Sequence, residues 1–318
     1  MQSQCILSIQ TPLGPPVEII RHTFSSSQSA KPAKRVSLVA GLHGDELEGL
    51  YICHRLMETL KNLEEQNAFK GEVHIYPAVN PQALETGTRL WPFFSVDINR
   101  TFGETNAPSL VTEASRTLLE DLKSNSDLVV DFHASNLHLM ELPQIRIIKD
   151  FEKKLVPLAK LCNVDLVWVH PHAEIFESTL GYNLNRAKIP TLVIESGICL
   201  RIHKNYCEQI ILGILNLLRQ TGVIDSGEPL AEVTPPRLVQ PDYVAMIQAQ
   251  NAGLFVKQAK VGQMLKEGDK IGDLIGPDQV REEIRSPCSG LLFTLREHPL
   301  TGKDAPLARI ATEKPFKP

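Results

Sequence analysis

The chain has 318 residues, of which 42% are hydrophobic and 22% are charged, and this composition excludes a largely disordered protein. The formal net charge is −4 at pH 7, and the basic residues form no dense run, so no nucleic-acid partner is predicted. The apolar run at 210–218 is far shorter than the roughly 20 residues that span a bilayer, and residues 1–10 lack a signal-peptide pattern. Scattered cysteines in such a chain indicate reduced thiols. We therefore expect a cytoplasmic protein without a membrane partner.

From residue 36 to about residue 220, short apolar runs alternate with segments of helical periodicity. The apolar runs predict buried strands and the amphipathic segments predict helices. The predicted strands are 36–40, 73–79, 128–132, 145–148, 164–169 and 191–194, and the predicted helices are 47–60, 113–122, 151–162 and 205–219. Residues 25–35 predict an exposed loop between two early strands. The alternation predicts an α/β domain with a mostly parallel or mixed sheet and helices on both faces.

The pattern changes after about residue 226. Prolines make a stiff connection, and short strands with regularly spaced glycines follow it. Such a pattern predicts a small all-β module. The expected division is an α/β domain over 1–225 and a β-rich domain over 226–318.

Candidate metal ligands follow two of the predicted strands. His43 and Glu46 are three residues apart, and on the first turn of a helix this spacing places both side chains on one side. With His133, after strand 128–132, they make a set of two histidines and one glutamate, which is typical of hydrolytic zinc sites. Asp131 is a candidate supporting carboxylate. Taken singly, each residue has a plainer interpretation, as a surface histidine beside a solvated acid or a hydrogen-bonded histidine at a strand end.

Candidate catalytic and anion-binding residues lie nearby in the predicted topology. Glu195 follows an apolar strand, where a buried carboxylate needs a partner. It is a candidate general base, and the alternative is a glutamate that caps the next helix or pairs with an arginine. Arg89, Asn99 and Arg100 are candidate carboxylate-binding residues, because arginine binds carboxylates through two parallel hydrogen bonds. The alternative for Arg100 is a structural pair with Asp97.

These candidates all fall where predicted strands end. In an open parallel sheet, the carboxyl ends of the strands form the crevice in which sites lie. The side chains needed for a metal-dependent hydrolase are therefore expected at one edge of the sheet.

Five segments, in this order, resemble the succinylglutamate desuccinylase/aspartoacylase family, a branch of the zinc carboxypeptidase superfamily. They are AGLHGDELEG at 40–49, NPQALETGTR at 80–89, DINRTF at 97–102, DFHAS at 131–135 and VIESG at 193–197. The resemblance covers essentially the whole chain, since bacterial members often carry a C-terminal β module. It implies a zinc carboxypeptidase-like fold and a zinc-dependent amidohydrolase acting on a small N-acyl amino acid. One Zn²⁺ per chain would be held by His43, Glu46 and His133.

The resemblance also implies roles for the other candidates. Glu195 would be the base and proton shuttle, and Arg89 would polarise the scissile carbonyl and stabilise the oxyanion. Asn99 and Arg100 would bind a substrate carboxylate. The segment LWPFFSV, between Arg89 and Asp97, is longer than in the aspartoacylase-like pattern and bears on the placement of Arg89.

Several further residues have two interpretations each. Tyr182 is either a donor to the tetrahedral intermediate or a packing residue, and packing is favoured. Arg146 and Arg186 either reach the substrate or lie on the surface, and the surface is favoured. The pair Phe93-Phe94 either lines the pocket or packs in the core or a loop, and packing is favoured. The histidines predicted not to bind metal are His54, His138, His170, His172 and His203.

The C-terminal module resembles a biotinyl/lipoyl-like barrel-sandwich domain, on the segments at 261–263, 267–269 and 284–290. Gln279 stands where a carrier domain has its modifiable lysine, so no biotin or lipoate is expected. The module either packs beside the cleft and narrows it, which favours small substrates, or is a structural or dimer-forming appendage.

The sequence thus favours a zinc-dependent deacylase of small N-acyl amino acids. A metallocarboxypeptidase is the alternative enzyme, because Asn99 and Arg100 suit a peptide C-terminus equally well. A non-catalytic metal-binding or interaction protein on the same scaffold is the alternative outside enzymes. The sequence leaves a homo-oligomer open.

Overall fold

A computed structural model describes residues 1–11, 13–26, 34–103, 109–225, 232–277 and 281–316. The strands are β1 Gln2–Ile9, β2 Val17–Ser25, β3 Arg35–Val39, β4 Glu72–Tyr76, β5 Leu128–Ala134, β6 Leu139–Ile148, β7 Leu166–His170, β8 Thr191–Gly197, β9 Arg237–Val239, β10 Val244–Gln248, β11 Gly253–Lys257, β12 Met264–Leu265, β13 Lys270–Ile275, β14 Arg281–Arg285, β15 Gly290–Arg296, β16 Leu300–Thr301 and β17 Pro306–Thr312. The helices are α1 Leu47–Glu65, α2 Pro81–Thr86, α3 Ser109–Asn125, α4 Glu152–Ala159, α5 Leu180–Arg186 and α6 Lys204–Gln220. In these ranges, no helix combines the length and the apolar character that crossing a membrane requires.

A large mixed sheet runs through the molecule in the order β1-β2-β4-β3-β5-β8-β6-β15-β17-β10. Its centre is parallel, because β4, β3, β5 and β8 pair in one direction. The strands on either side, β2 and β6, join this centre in antiparallel fashion. The predicted mixed sheet is therefore confirmed, and its parallel strands end along one edge.

Helices cover both faces of this sheet. Side chains on one strand point alternately to opposite faces, so Val36 and Leu38 of β3 join one buried cluster and Val39 joins another. The first cluster packs against α1, α4 and α6, and the second against α3 and α5. The strands at the centre are buried on both faces, which explains their nearly unbroken apolar sequence.

The C-terminal strands form two antiparallel groups. One is a separate sheet in the order β14-β13-β11-β16, and the other adds β15, β17 and β10 to the large sheet. The addition is made at β6, whose first residues pair with β15 and whose last residues pair with β7. The C-terminal module is therefore joined to the α/β part by strand pairing as well as by the chain.

The element boundaries differ from the predictions where polar residues lie within elements. Helix α1 begins at Leu47 as predicted, but His43 and Glu46 therefore lie in the preceding turn and not on the first helical turn. Strand β8 continues to Gly197 and contains Glu195. Helix α2 was not predicted. Asn80 caps this six-residue helix, and proline stands in its first turn. Gln279 and most of the loop expected at 25–35 lie outside the described residues.

Candidate active site

The loop after β3 presents His43 and Glu46 because it is pressed against α2. Gly44 donates its backbone N–H to Thr88 O at 2.9 Å. A Cβ at Gly44 would lie 1.9 Å from the backbone of Ala83, so only glycine permits this approach. The contact fixes the turn that carries both side chains.

His43, Glu46 and His133 converge at the carboxyl ends of β3 and β5. His43 Nδ1 lies 2.7 Å from Glu46 Oε1, and His133 Nδ1 lies 2.9 Å from Glu46 Oε2. All three side chains are buried, and one ligand atom from each lies within 4.8 Å of the others. Ligand atoms around one zinc ion lie roughly 3–4 Å apart, since each bond to zinc is about 2 Å long.

Carboxylates hold the far side of both imidazole rings. Asp97 Oδ1 lies 2.9 Å from His43 Nε2, and Asp131 Oδ2 lies 2.9 Å from His133 Nε2. Metal-bound histidines typically have such an outer carboxylate, which fixes the ring so that the other nitrogen faces the ion. The donor types, their convergence and their outer partners therefore suit a divalent zinc ion.

The electrostatics of the cluster favour positive charge at its centre. Burial disfavours the charged form of each imidazole, but neighbouring carboxylates outweigh it: Glu46 and Asp97 raise the pKa of His43, and Asp131 and Glu46 raise that of His133. Burial likewise opposes ionisation of Glu46, yet His43 and His133 lower the pKa of its carboxyl far below the usual range. A bound cation would supply the positive charge that these carboxylates attract.

Among the described residues, one other group has metal-ligating side chains close together, namely Asp45, Glu46 and Cys199. The Cys199 thiol donates to Ser135 O at 2.9 Å. Burial, with Glu46 and Asp45, raises the pKa of this thiol, which keeps it protonated. Because a metal binds the thiolate, this group suits zinc less well than the His-Glu-His set.

The candidate anion-binding residues lie beside the cluster. Arg89 donates to Glu46 Oε1 at 3.0 Å and to Asp97 Oδ2 at 3.1 Å. Asn99 Oδ1 accepts from Leu180 N at 2.9 Å, so its amide nitrogen is the group left to face a ligand. Arg100 is exposed and donates to Asn99 O at 2.8 Å. Arg89, Asn99 and Arg100 all line the same cavity as the metal-ligand candidates.

Glu195 lies opposite His133 in the register of β5 and β8 and lines that cavity. Its side chain is 14% exposed, and Oε1 lies 3.2 Å from Arg146 Nη1. Burial raises the pKa of the Glu195 carboxyl, while Arg146 and His133 oppose this rise. A raised pKa suits a group that must accept and return a proton.

The favoured surface interpretation of Arg146 is wrong. Arg146 lines the cavity and forms a second ion pair, of 2.6 Å, with the fully buried Glu141. Arg309, from the C-terminal module, lines the cavity too and pairs with Glu141 at 2.7 Å. Sequence analysis missed Glu141 and Arg309, although an acid and an arginine within one buried apolar strand were a signal for the pairing of Glu141 with Arg146.

The cavity has a volume of about 460 Å³. Its lining also includes His170, Phe176 and Tyr182, so Tyr182 packs at the cavity as well as against Phe151. Arg186 is exposed, as favoured. The packing interpretation fails for Phe93, which is 92% exposed.

Helices on both faces of a mixed sheet, with polar side chains converging where its parallel strands end, define an α/β protein whose site lies at the carboxyl ends of its strands. Residues 32–221 match the family model for the succinylglutamate desuccinylase/aspartoacylase catalytic domain. This match spans more than half of the chain, which therefore belongs to the succinylglutamate desuccinylase/aspartoacylase family.

Other relatives agree with this family. The chain is 23% identical over 268 residues to the N-alpha-acetyl-L-2,4-diaminobutyric acid deacetylase of Halomonas elongata, covering 81% of this chain and 76% of that one. The product-bound ectoine utilization protein EutE (DoeB) of Ruegeria pomeroyi superposes with a TM-score of 0.78 at 18% identity, covering 94% and 90% of the two chains. A succinylglutamate desuccinylase/aspartoacylase of Rhodobacter sphaeroides superposes with a TM-score of 0.78 at 22% identity, covering 96% and 91%. At these identities the superpositions show a shared fold.

Proposed function

We propose that the protein is a zinc-dependent deacylase that hydrolyses the amide bond of a small N-acyl amino acid. The observation that carries this proposal is the convergence of His43, Glu46 and His133 beside Glu195 in one cavity. The family and its curated relative are named for deacylases, which supports a hydrolase that removes acyl groups.

In the proposed mechanism, His43, Glu46 and His133 hold zinc through two imidazole nitrogens and a carboxylate. When bound, zinc supplies Lewis acidity, which acidifies water and polarises a carbonyl group. Glu195 takes the proton of the attacking water at its carboxylate and returns it to the leaving nitrogen. Its position beside His133 and its raised pKa support this role.

Arginines supply the positive charge around the reacting carbonyl. Arg89, whose guanidinium is fixed by Glu46 and Asp97, stabilises the developing oxyanion. The Asn99 amide nitrogen and the Arg100 guanidinium bind the carboxylate of the amino-acid part. A cavity of about 460 Å³ suits a small metabolite of this kind.

The C-terminal residues are part of the proposed enzyme. We propose the expected division of the chain, with catalysis in 1–225 and a β-rich domain at 226–318. Arg309 lines the cavity, which supports a role of this domain at the cleft.

A hydrolysis screen of the zinc-loaded protein by mass spectrometry tests the function. The pool holds N-acetyl, N-succinyl and longer N-acyl amino acids together with short peptides that have free C-termini. We expect free amino acid to be released from one N-acyl class. Release of C-terminal residues from peptides alone would instead establish the carboxypeptidase alternative, and no release with zinc bound would overturn the proposed activity.

The variant Glu195→Gln tests the proton-transfer role. The amide keeps the shape of the side chain but cannot accept the proton, so kcat should fall by about 10²–10⁴-fold, with zinc content unchanged by metal analysis. Glu177→Gln is the matched control, because Glu177 is exposed and pairs with His172. Full activity in zinc-loaded Glu195→Gln would remove Glu195 from the mechanism.

A further inference from the structure

Glu141 is a fully buried carboxylate that joins the α/β part to the C-terminal module. Arg146 Nη2 and Gln144 Nε2 donate to its Oε2 at 2.6 and 3.0 Å. Arg309 Nη1 and Thr294 Oγ1 donate to its Oε1 at 2.7 and 3.2 Å. One oxygen is thus held by the α/β part and the other by the module.

Strand pairing explains how these residues meet. Glu141 on β6 lies opposite Thr294 on β15, and Thr294 lies opposite Arg309 on β17. The three residues therefore stand in one row across three neighbouring strands. Backbone hydrogen bonds between the strands set the positions of these residues. Paired backbone shifts less readily than a long side chain does.

Arg146 connects this row to the proposed base, Glu195. The guanidinium of Arg146 lies between two carboxylates, with Nη2 on Glu141 and Nη1 at 3.2 Å from Glu195. The guanidinium carbons of Arg146 and Arg309 also lie 5.9 and 5.3 Å from the ring centre of Trp168. We name Arg309, Glu141, Arg146 and Glu195 the ion-pair chain.

Loss of any single member of the ion-pair chain leaves its charges unbalanced. It contains two guanidiniums and two carboxylates, and Glu141 accepts from both guanidiniums. Removing one member of a buried ion pair leaves an uncompensated charge. Without Arg309, Glu141 would rely on Arg146 alone, and Arg146 would move toward Glu141 and away from Glu195.

We propose that Arg309 and Glu141 are positioning residues for Glu195, so that the C-terminal module completes the catalytic geometry through Arg146. This inference rests on the proposed function of Glu195 as the base. The module then acts on the chemical step, in addition to contributing Arg309 to the lining of the cavity. Misplacing a catalytic group by about 1 Å can cost up to about 100-fold in rate.

The test compares Arg309→Gln with Arg296→Gln. Arg296 is a matched control, because it is a buried arginine of the same module whose guanidinium bonds to Leu300 O and Pro306 O and not to Glu141. Arg309→Gln should lower kcat by about 10- to 100-fold with KM and zinc content unchanged. Arg296→Gln should keep the wild-type kcat.

Conservative variants and crystal structures complete the test. Arg309→Lys, which keeps a positive charge near Glu141, should restore most of kcat. If Arg309→Gln does not fold, Thr294→Val removes a single bond to Glu141, and it should lower kcat in the same direction. Crystal structures of wild type and a folded variant of Arg309 or Thr294 should show the Arg146 guanidinium displaced from Glu195.

Three results would overturn the inference: an unchanged kcat in Arg309→Gln, an equal loss in Arg296→Gln, or crystal structures in which Arg146 and Glu195 keep their positions. If the wild-type protein hydrolyses no N-acyl amino acid, the proposed function fails. The crystal structures then decide the positioning role alone, because they need no activity.

Discussion

At the scale of single residues, the site depends on carboxylates that do not face the substrate. Asp97 and Asp131 hold the Nε2 atoms of His43 and His133, and this leaves both Nδ1 atoms turned toward Glu46. The two aspartates therefore set which nitrogen each histidine presents.

Asp131→Asn should weaken zinc binding without removing a ligand. An amide carries no negative charge to increase the basicity of His133, so the zinc affinity should fall by about 10–100-fold. Competition with a chromophoric chelator measures the affinity. Asp150→Asn, at an exposed carboxylate, serves as the control, and equal affinities in the two variants would argue against a supporting role for Asp131.

The chemistry-bearing residues could be predicted from the sequence only where they stand at strand ends. His43, His133 and Glu195 follow apolar runs, so their common edge was predictable. Arg309 and Glu141 are 168 positions apart, and no local pattern indicates that their strands become neighbours through β15. Arg146 was assigned to the surface because its strand was predicted only over 145–148, whereas β6 begins at Leu139 and includes Glu141.

At the scale of elements, the turn before α1 depends on its contact with α2. Gly44→Ala should reduce both stability and zinc affinity, because the new Cβ would overlap the backbone of Ala83 and push His43 and Glu46 apart. Thermal unfolding and chelator competition measure the two effects. Gly302→Ala is the control, since a Cβ there meets nothing within 4 Å, and a zinc affinity of Gly44→Ala equal to that of Gly302→Ala would contradict this account.

Most long elements of the α/β part were predictable, because their period reflects which faces are buried. Helices α5 and α2 were not, because their seven and six residues carry too few apolar repeats to show a helical period. The pairing of β6 with three other strands was equally hidden, because it is a property of the sheet and not of the strand. The polar Glu195 shifted the predicted end of β8, which continues to Gly197, whereas the start of α1 at Leu47 was predicted correctly.

At the scale of the whole molecule, His170 links folding stability to pH. It lies against Trp168, with ring centres 3.9 Å apart. Burial, with the nearby Arg146 and Arg309, lowers its pKa to about 3. The unfolded chain therefore takes up a proton near the ordinary pKa of 6.5, while the folded protein does not until about pH 3.

The free energy of unfolding of wild type should therefore fall, relative to His170→Gln, as the pH drops below 6.5. The limiting slope of this difference is about 1.4 kcal/mol per pH unit. Urea unfolding of both proteins between pH 4.5 and 8 measures it, with a constant difference expected above pH 7.5. A difference that stays constant throughout would show that His170 titrates normally in the folded protein.

The contact of Trp168 with Arg146 and Arg309 also gives the protein an optical reporter. The chain has two tryptophans, and Trp91 is fully buried in a different apolar cluster from Trp168, where it donates to Gln82. Trp168 instead lies beside the guanidiniums of both Arg146 and Arg309, whose charges interact with its π-electrons. In a Trp91→Phe background, the fluorescence of Trp168 alone would follow these two charges. Ligand binding at the cleft and movement of the C-terminal module would then be visible in the emission spectrum, without any attached dye.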